Sequence, residues 1–188
     1  MTADAPLTQT DIAAIAARLD RPIVLVGLMG AGKSTVGRRL ANMLGRQFVD
    51  ADDAIEVAAQ RSIPEIFDEF GEDYFRDGER RVIARLIEEE RGVIATGGGA
   101  FVDAQTRALI LERALAVWID CDIDTLVERT ARRNTRPLLR GGDPKAILTG
   151  LLERRQPFYE QAQLRVRGEN NPHTDTALAI IKAIDEWL

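Results

Sequence analysis

Residues 22–37 read PIVLVGLMGAGKSTVG. An apolar, β-branched run at 23–27 leads into GLMGAGKS (27–34), which fits G-x-x-x-x-G-K-[ST] without a mismatch. A helical pattern follows at once, so the motif sits between strand and helix, as a phosphate cradle requires. Its glycines let backbone N–H groups turn inward and approach phosphate closely. The helix behind them points its positive end at the same place. Lys33 is placed to reach the β- and γ-phosphates of a nucleoside triphosphate, and the Ser34 hydroxyl to ligate Mg²⁺. The motif names no acceptor for the phosphate.

Outward from the motif, short strands alternate with helical stretches. Strands are expected at 23–27, 47–50, 93–96, 116–120 and 163–167. The first four are apolar without alternation, as in strands buried on both faces. Helices are expected near 33–45, 53–60, 64–70, 72–90, 103–113, 124–132, 145–161 and 174–187. The alternation predicts an α/β fold, a parallel sheet with helices on both sides. The forty or so residues between the second and third strands hold several helices, one opening at Ser62 with Glu65 reaching back. The stretch 133–144, RNTRPLLRGGDP, is rich in Gly and Pro and reads as a loop.

The 188 residues predict one domain over 21–188, with a helical extension at 1–20. Thr8 and Asp11 form a capping-box pattern there, ahead of Ile12, Ile15 and Leu19. Asp4, Asp11 and the lack of a basic start argue against a secretory leader. No apolar run approaches the ~20 residues of a membrane helix, so no membrane partner is expected. A net charge of −5 argues against nucleic acid as a partner. Five arginines at 129–140 are instead expected to grip a small anion. Cys121 is the only cysteine and is read as inert; a chain without disulfides suits a reducing, cytoplasmic setting. His173, next to Pro172, is the only histidine; a His-based triad or zinc site would have to use it with no helper nearby, which argues against both.

Three further groups carry chemistry. FVDADD (48–53) closes the second strand at the ligand side of the sheet. In an extended chain Asp50 and Asp52 would face the same way. Asp50 is placed to hold a water of the Mg²⁺ shell. Asp52 is placed to accept a hydrogen bond from an acceptor hydroxyl, and Asp53 to cap the next helix. Gly97, Gly98 and Gly99 end the third strand, where one or two glycines would make the turn; three imply a ligand lying against bare backbone. No aspartate ends that strand, so the usual Walker B acid is missing. Arg76 and Arg155, if both face the acceptor, would bind a carboxylate or phosphate with forked hydrogen bonds.

The segments GLMGAGKST, FVDADDAIE, SIPEIFDEFGEDYFRDGE, TGGGA, TRPLL and RRQPFYEQA occur in that order. In this the chain, from about 22 to 175, resembles the shikimate kinases. The resemblance implies a five-stranded parallel sheet of order 2-3-1-4-5, with an acceptor-binding insertion at about 51–91 and a lid at about 133–144. It implies phosphorylation of the 3-hydroxyl of shikimate by ATP and Mg²⁺, in aromatic amino acid biosynthesis. Lys33 and the backbone of Gly30, Ala31, Gly32, Ser34 and Thr35 would hold the ATP phosphates. Ser34, with Asp50 through water, would hold the metal. Asp52 would sit near the attacking hydroxyl, Arg76 and Arg155 would clamp the shikimate carboxylate, and Gly97, Gly98 and Gly99 would meet the ring. Arg136 would be the lid arginine, and Arg129 and Pro172 would flank the adenine. A monomer is implied too. Two rival readings stand beside this one: another small-molecule kinase, acting on gluconate or a nucleoside monophosphate, and a nucleotide-binding module without turnover.

Overall fold

The computed structural model describes residues 6–89, 92–132, 139, 141–168 and 172–188. Strands β1 (Ile23–Val26), β2 (Phe48–Asp50), β3 (Val93–Ala95), β4 (Leu115–Asp120) and β5 (Leu164–Arg167) form one parallel sheet of order β2-β3-β1-β4-β5. Around it lie α1 (Gln9–Arg18), α2 (Lys33–Met43), α3 (Ala51–Ala59), α4 (Ile63–Glu89), α5 (Ala104–Arg113), α6 (Ile123–Ala131), α7 (Pro144–Tyr159) and α8 (His173–Trp187). β1 and β3 are wholly buried, and β4 is buried up to Asp120. β2 is only half-buried, against the expectation, because it is the sheet's edge. The sheet faces are covered by apolar stripes at helical spacing, such as Ala177, Ile180, Ile181 and Ile184 of α8.

The insertion between β2 and β3 is α3 and α4. Ser62 and Glu65 exchange hydrogen bonds at the start of α4, as their spacing predicts. The helix is continuous apart from Gly71 (φ 82°, ψ 176°), which separates the two helical stretches read from the sequence. This arm carries a small core of its own, Ile55, Ile66 and Phe75, with the Phe67 and Phe75 rings 4.6 Å apart.

α1 is capped by Thr8 and Asp11 and buries Ile12, Ile15 and Leu19 against the main core. Arg46 donates to the carbonyls of Ala16, Leu19 and Arg21, groups that a helix end leaves without partners in its own backbone. α7 begins at Pro144, capped by Asp143, so the last residue assigned to the lid is the first turn of a helix.

Candidate active site

The phosphate loop spans the gap between β1 and α2. Gly32 stands at the N-cap of α2 with φ 87° and brings no side chain to bond the first-turn amides. A cap of that kind leaves those N–H groups for an anion. Gly30 has φ 82°, and a Cβ there would lie 2.9 Å from Thr130 Cγ2. Both positions therefore favour glycine for conformation, and Gly30 needs it for space as well. The Lys33 ammonium is buried and donates to the carbonyls of Gly27 and Leu28, each at 2.8 Å, which holds it at the loop.

Ser34 Oγ donates to Asp50 Oδ2 at 2.6 Å. The two groups assigned to the metal are thus together, and both present oxygen, as a hard divalent cation requires. The path from Asp50 to Asp52 differs from the extended reading. Asp50, not Asp53, caps α3, accepting from the Asp52 amide at 3.0 Å, so the helix starts directly after the strand. Asp53 is exposed in the first turn. Asp52 is turned toward the crevice by that first helical turn, not by strand alternation. Burial, then the Asp50 charge, raises its pKa above the usual carboxylate value, with Lys33 opposing.

At the end of β3 each glycine faces a different candidate side chain. A Cβ on Gly97 would lie 2.9 Å from Asp52 Oδ1. One on Gly98 would lie 2.9 Å from Arg155 Nη1, and one on Gly99 would overlap the Arg76 guanidinium, 2.9 Å from its Cζ. Three consecutive positions without side chains thus let a carboxylate and two guanidiniums converge on one strip of backbone, beside the phosphate loop. Such a strip suits a small acceptor with hydroxyl and anionic groups.

The comparisons with known proteins agree. The family model described as shikimate kinase matches residues 29–185. The chain is 56% identical to a shikimate kinase of Novosphingobium aromaticivorans, over 97% of this chain and 96% of the relative. It is 57% identical to one of Caulobacter vibrioides, over 87% and 82%.

The chain belongs to the shikimate kinase family.

A solved shikimate kinase of Acinetobacter baumannii in complex with shikimate superposes with a TM-score of 0.84 at 38% identity, covering 92% of this chain and 97% of that one. The sheet order 2-3-1-4-5 is the one the resemblance to shikimate kinases implied.

Toward the expected adenine side of this shikimate kinase fold, Arg129 Nη1 donates to the Ala31 carbonyl at 3.3 Å. Pro172 is exposed at the N-cap of α8. Arg136, with most of the expected lid, lies outside the described residues. Several neighbours of the site carry no part in the expected chemistry. Glu79 is 1% exposed and accepts from Arg76 Nη1 at 2.6 Å. Burial raises its pKa and the Arg76 charge opposes that rise. The i, i+3 spacing of Arg76 and Glu79 on one helix was the available signal. His173 lies against the phosphate loop, with its Cε1 3.3 Å from where a Gly32 Cβ would stand. Cys121 is buried, its thiol directed at the Ala31 carbonyl.

Proposed function

We propose that the chain transfers the γ-phosphoryl group of ATP to the 3-hydroxyl of shikimate, giving shikimate 3-phosphate and ADP, a step of aromatic amino acid biosynthesis. The observation that carries the assignment of residues is the glycine strip, where Asp52, Arg155 and Arg76 converge beside the loop that holds Lys33. In this reading the two arginines hold the acceptor carboxylate and so aim the hydroxyl. That hydroxyl oxygen attacks the γ-phosphorus as the bond to the β-phosphate oxygen breaks, and Asp52 accepts the hydroxyl proton. Ser34 and, through water, Asp50 would hold Mg²⁺, which would neutralise phosphate charge when bound. Lys33, the α2 amides and Arg136 supply the remaining positive field, and Arg129 and Pro172 flank the base.

The deciding assay measures ADP release with Mg-ATP and shikimate, gluconate, AMP or no acceptor. Turnover with shikimate alone is expected. Turnover with gluconate or AMP instead would overturn the acceptor assignment. ATP binding without turnover on any acceptor would support a silent module. Lys33→Met and Arg136→Ala should each lower kcat by about 10²-fold or more, the scale seen on removing one preorganised donor. Near-normal kcat in Lys33→Met would sink the mechanism.

The same reading takes the enzyme as a cytoplasmic monomer, supported by the family resemblance and by its use of ATP. Light scattering on the eluting protein tests the monomer. Among the described residues no helix is long and apolar enough to cross a membrane.

A further inference from the structure

Tyr159 closes α7, one helical turn after Arg155. Its side chain is wholly buried, and its ring centroid lies 5.9 Å from that of Trp118 on β4. A phenol packed this deeply needs a partner for its hydroxyl. That partner is the Gly98 carbonyl, to which it donates at 2.6 Å. The neighbouring carbonyls of the glycine run are held by the turn itself. Gly97 O accepts from the Ala100 amide, and Gly99 O from the amides of Val102 and Asp103. The middle carbonyl is thus held by a side chain from another element. Gly98 is also the residue whose missing Cβ leaves space for Arg155, whose Nη1 would lie 2.9 Å from it.

We propose that Tyr159 is a positioning residue of the acceptor pocket: its hydroxyl fixes the Gly98 peptide, and with it the bare backbone against which the Arg155 guanidinium lies. The proposal rests on the reading above, in which Gly98 and Arg155 contact shikimate. Tyr159 touches no reacting atom, so its effect belongs on acceptor affinity and not on nucleotide affinity. A tyrosine serving only the core would alter melting and leave the two KM values in proportion.

The test is Tyr159→Phe, which keeps the ring and removes the hydroxyl. KM for shikimate should rise about tenfold, the equivalent of one lost hydrogen bond that leaves a part-buried acceptor unpaired, while KM for ATP stays within about twofold and kcat within about threefold. Trp118→Phe disturbs the packing under the same ring while leaving the phenol in place. It should lower the melting midpoint without separating the two KM values. The same separation in Trp118→Phe would overturn the proposal, as would parallel changes in both KM values, or none, in Tyr159→Phe. Failure of Tyr159→Phe to fold would overturn it as well, because the hydroxyl would then be serving the core. Arg155→Lys distinguishes the two levels of the argument. A raised shikimate KM there with none in Tyr159→Phe removes only the role of Tyr159. An unchanged shikimate KM in Arg155→Lys removes the acceptor reading on which it rests.

Discussion

Gly99 and Arg76 illustrate how much of the site is decided by single residues. A methyl group on Gly99 would occupy the space of the Arg76 guanidinium, which is also tied to buried Glu79. Because that ion pair restrains the arginine, it cannot swing away without leaving a buried carboxylate unpaired. Gly99→Ala should therefore raise the shikimate KM by about 10- to 100-fold, the kinetic equivalent of ~1–3 kcal/mol of overpacking, with the ATP KM little changed. Steady-state kinetics with each substrate varied in turn checks this. His173 carries a pH effect of definite sign. Burial first, and then the charges of Arg129 and Arg39, lower its pKa from the ordinary 6.5. The unfolded chain therefore binds this proton more readily than the folded one. The folded state is at full strength above about pH 6.5 and loses stability as pH falls from there through the lower folded pKa. The difference in melting midpoint between wild type and His173→Asn should change over that window and be flat above it.

Within α4 two glycines have the same open surroundings and opposite consequences. A Cβ on Gly71 or on Gly78 would meet nothing within 4 Å. Gly71, however, has φ 82° and ψ 176°, a region that only glycine occupies easily, and it makes the break between the two halves of the helix. Gly78 lies in the regular part of the helix, where glycine is a poor choice. Gly71→Ala should cost ~1–3 kcal/mol through backbone strain. Gly78→Ala should add ~0.5–1 kcal/mol through helix propensity and a less disordered unfolded chain. Urea unfolding of the two variants reads both signs. Equal effects would mean that local surroundings, and not the backbone angle, set the outcome.

At the scale of the whole molecule, α1 is part of the main core. Ile15 is 3% exposed, Arg46 holds three carbonyls at the end of the segment, and Arg18 pairs with Asp185 of α8 at 2.7 Å. The helix packs on α8, where Arg18 meets Asp185 near the end opposite His173, so its loss should reach function only through stability. Ile15→Ala should lower stability by ~2–4 kcal/mol, the cost of a large-to-small change in a packed core, with both KM values unchanged. Chemical denaturation beside kinetics at a temperature well below the transition tests both halves. A shift in either KM would show that α1 acts on the pocket.

Local chemistry made much of this protein legible from its sequence. The phosphate loop, the caps at Thr8 and Ser62, and the break at Gly71 depend on residues a few positions apart. Their physics is contained in such short stretches. The alternation of apolar runs and helical stretches likewise determined the α/β class, and six motifs in order determined the family. What spacing along the chain did not determine was which distant groups share a site. Asp50 caps α3 because the helix follows the edge strand with no linker, and this moved Asp52 out of the strand geometry and into a helical turn. The pairing of Gly97, Gly98 and Gly99 with Asp52, Arg155 and Arg76, and the bond from Tyr159 to Gly98, join β3 to α3, α4 and α7. Only the tertiary structure decides such contacts, because they depend on how separately formed elements pack, and packing is set by the shape of the whole core.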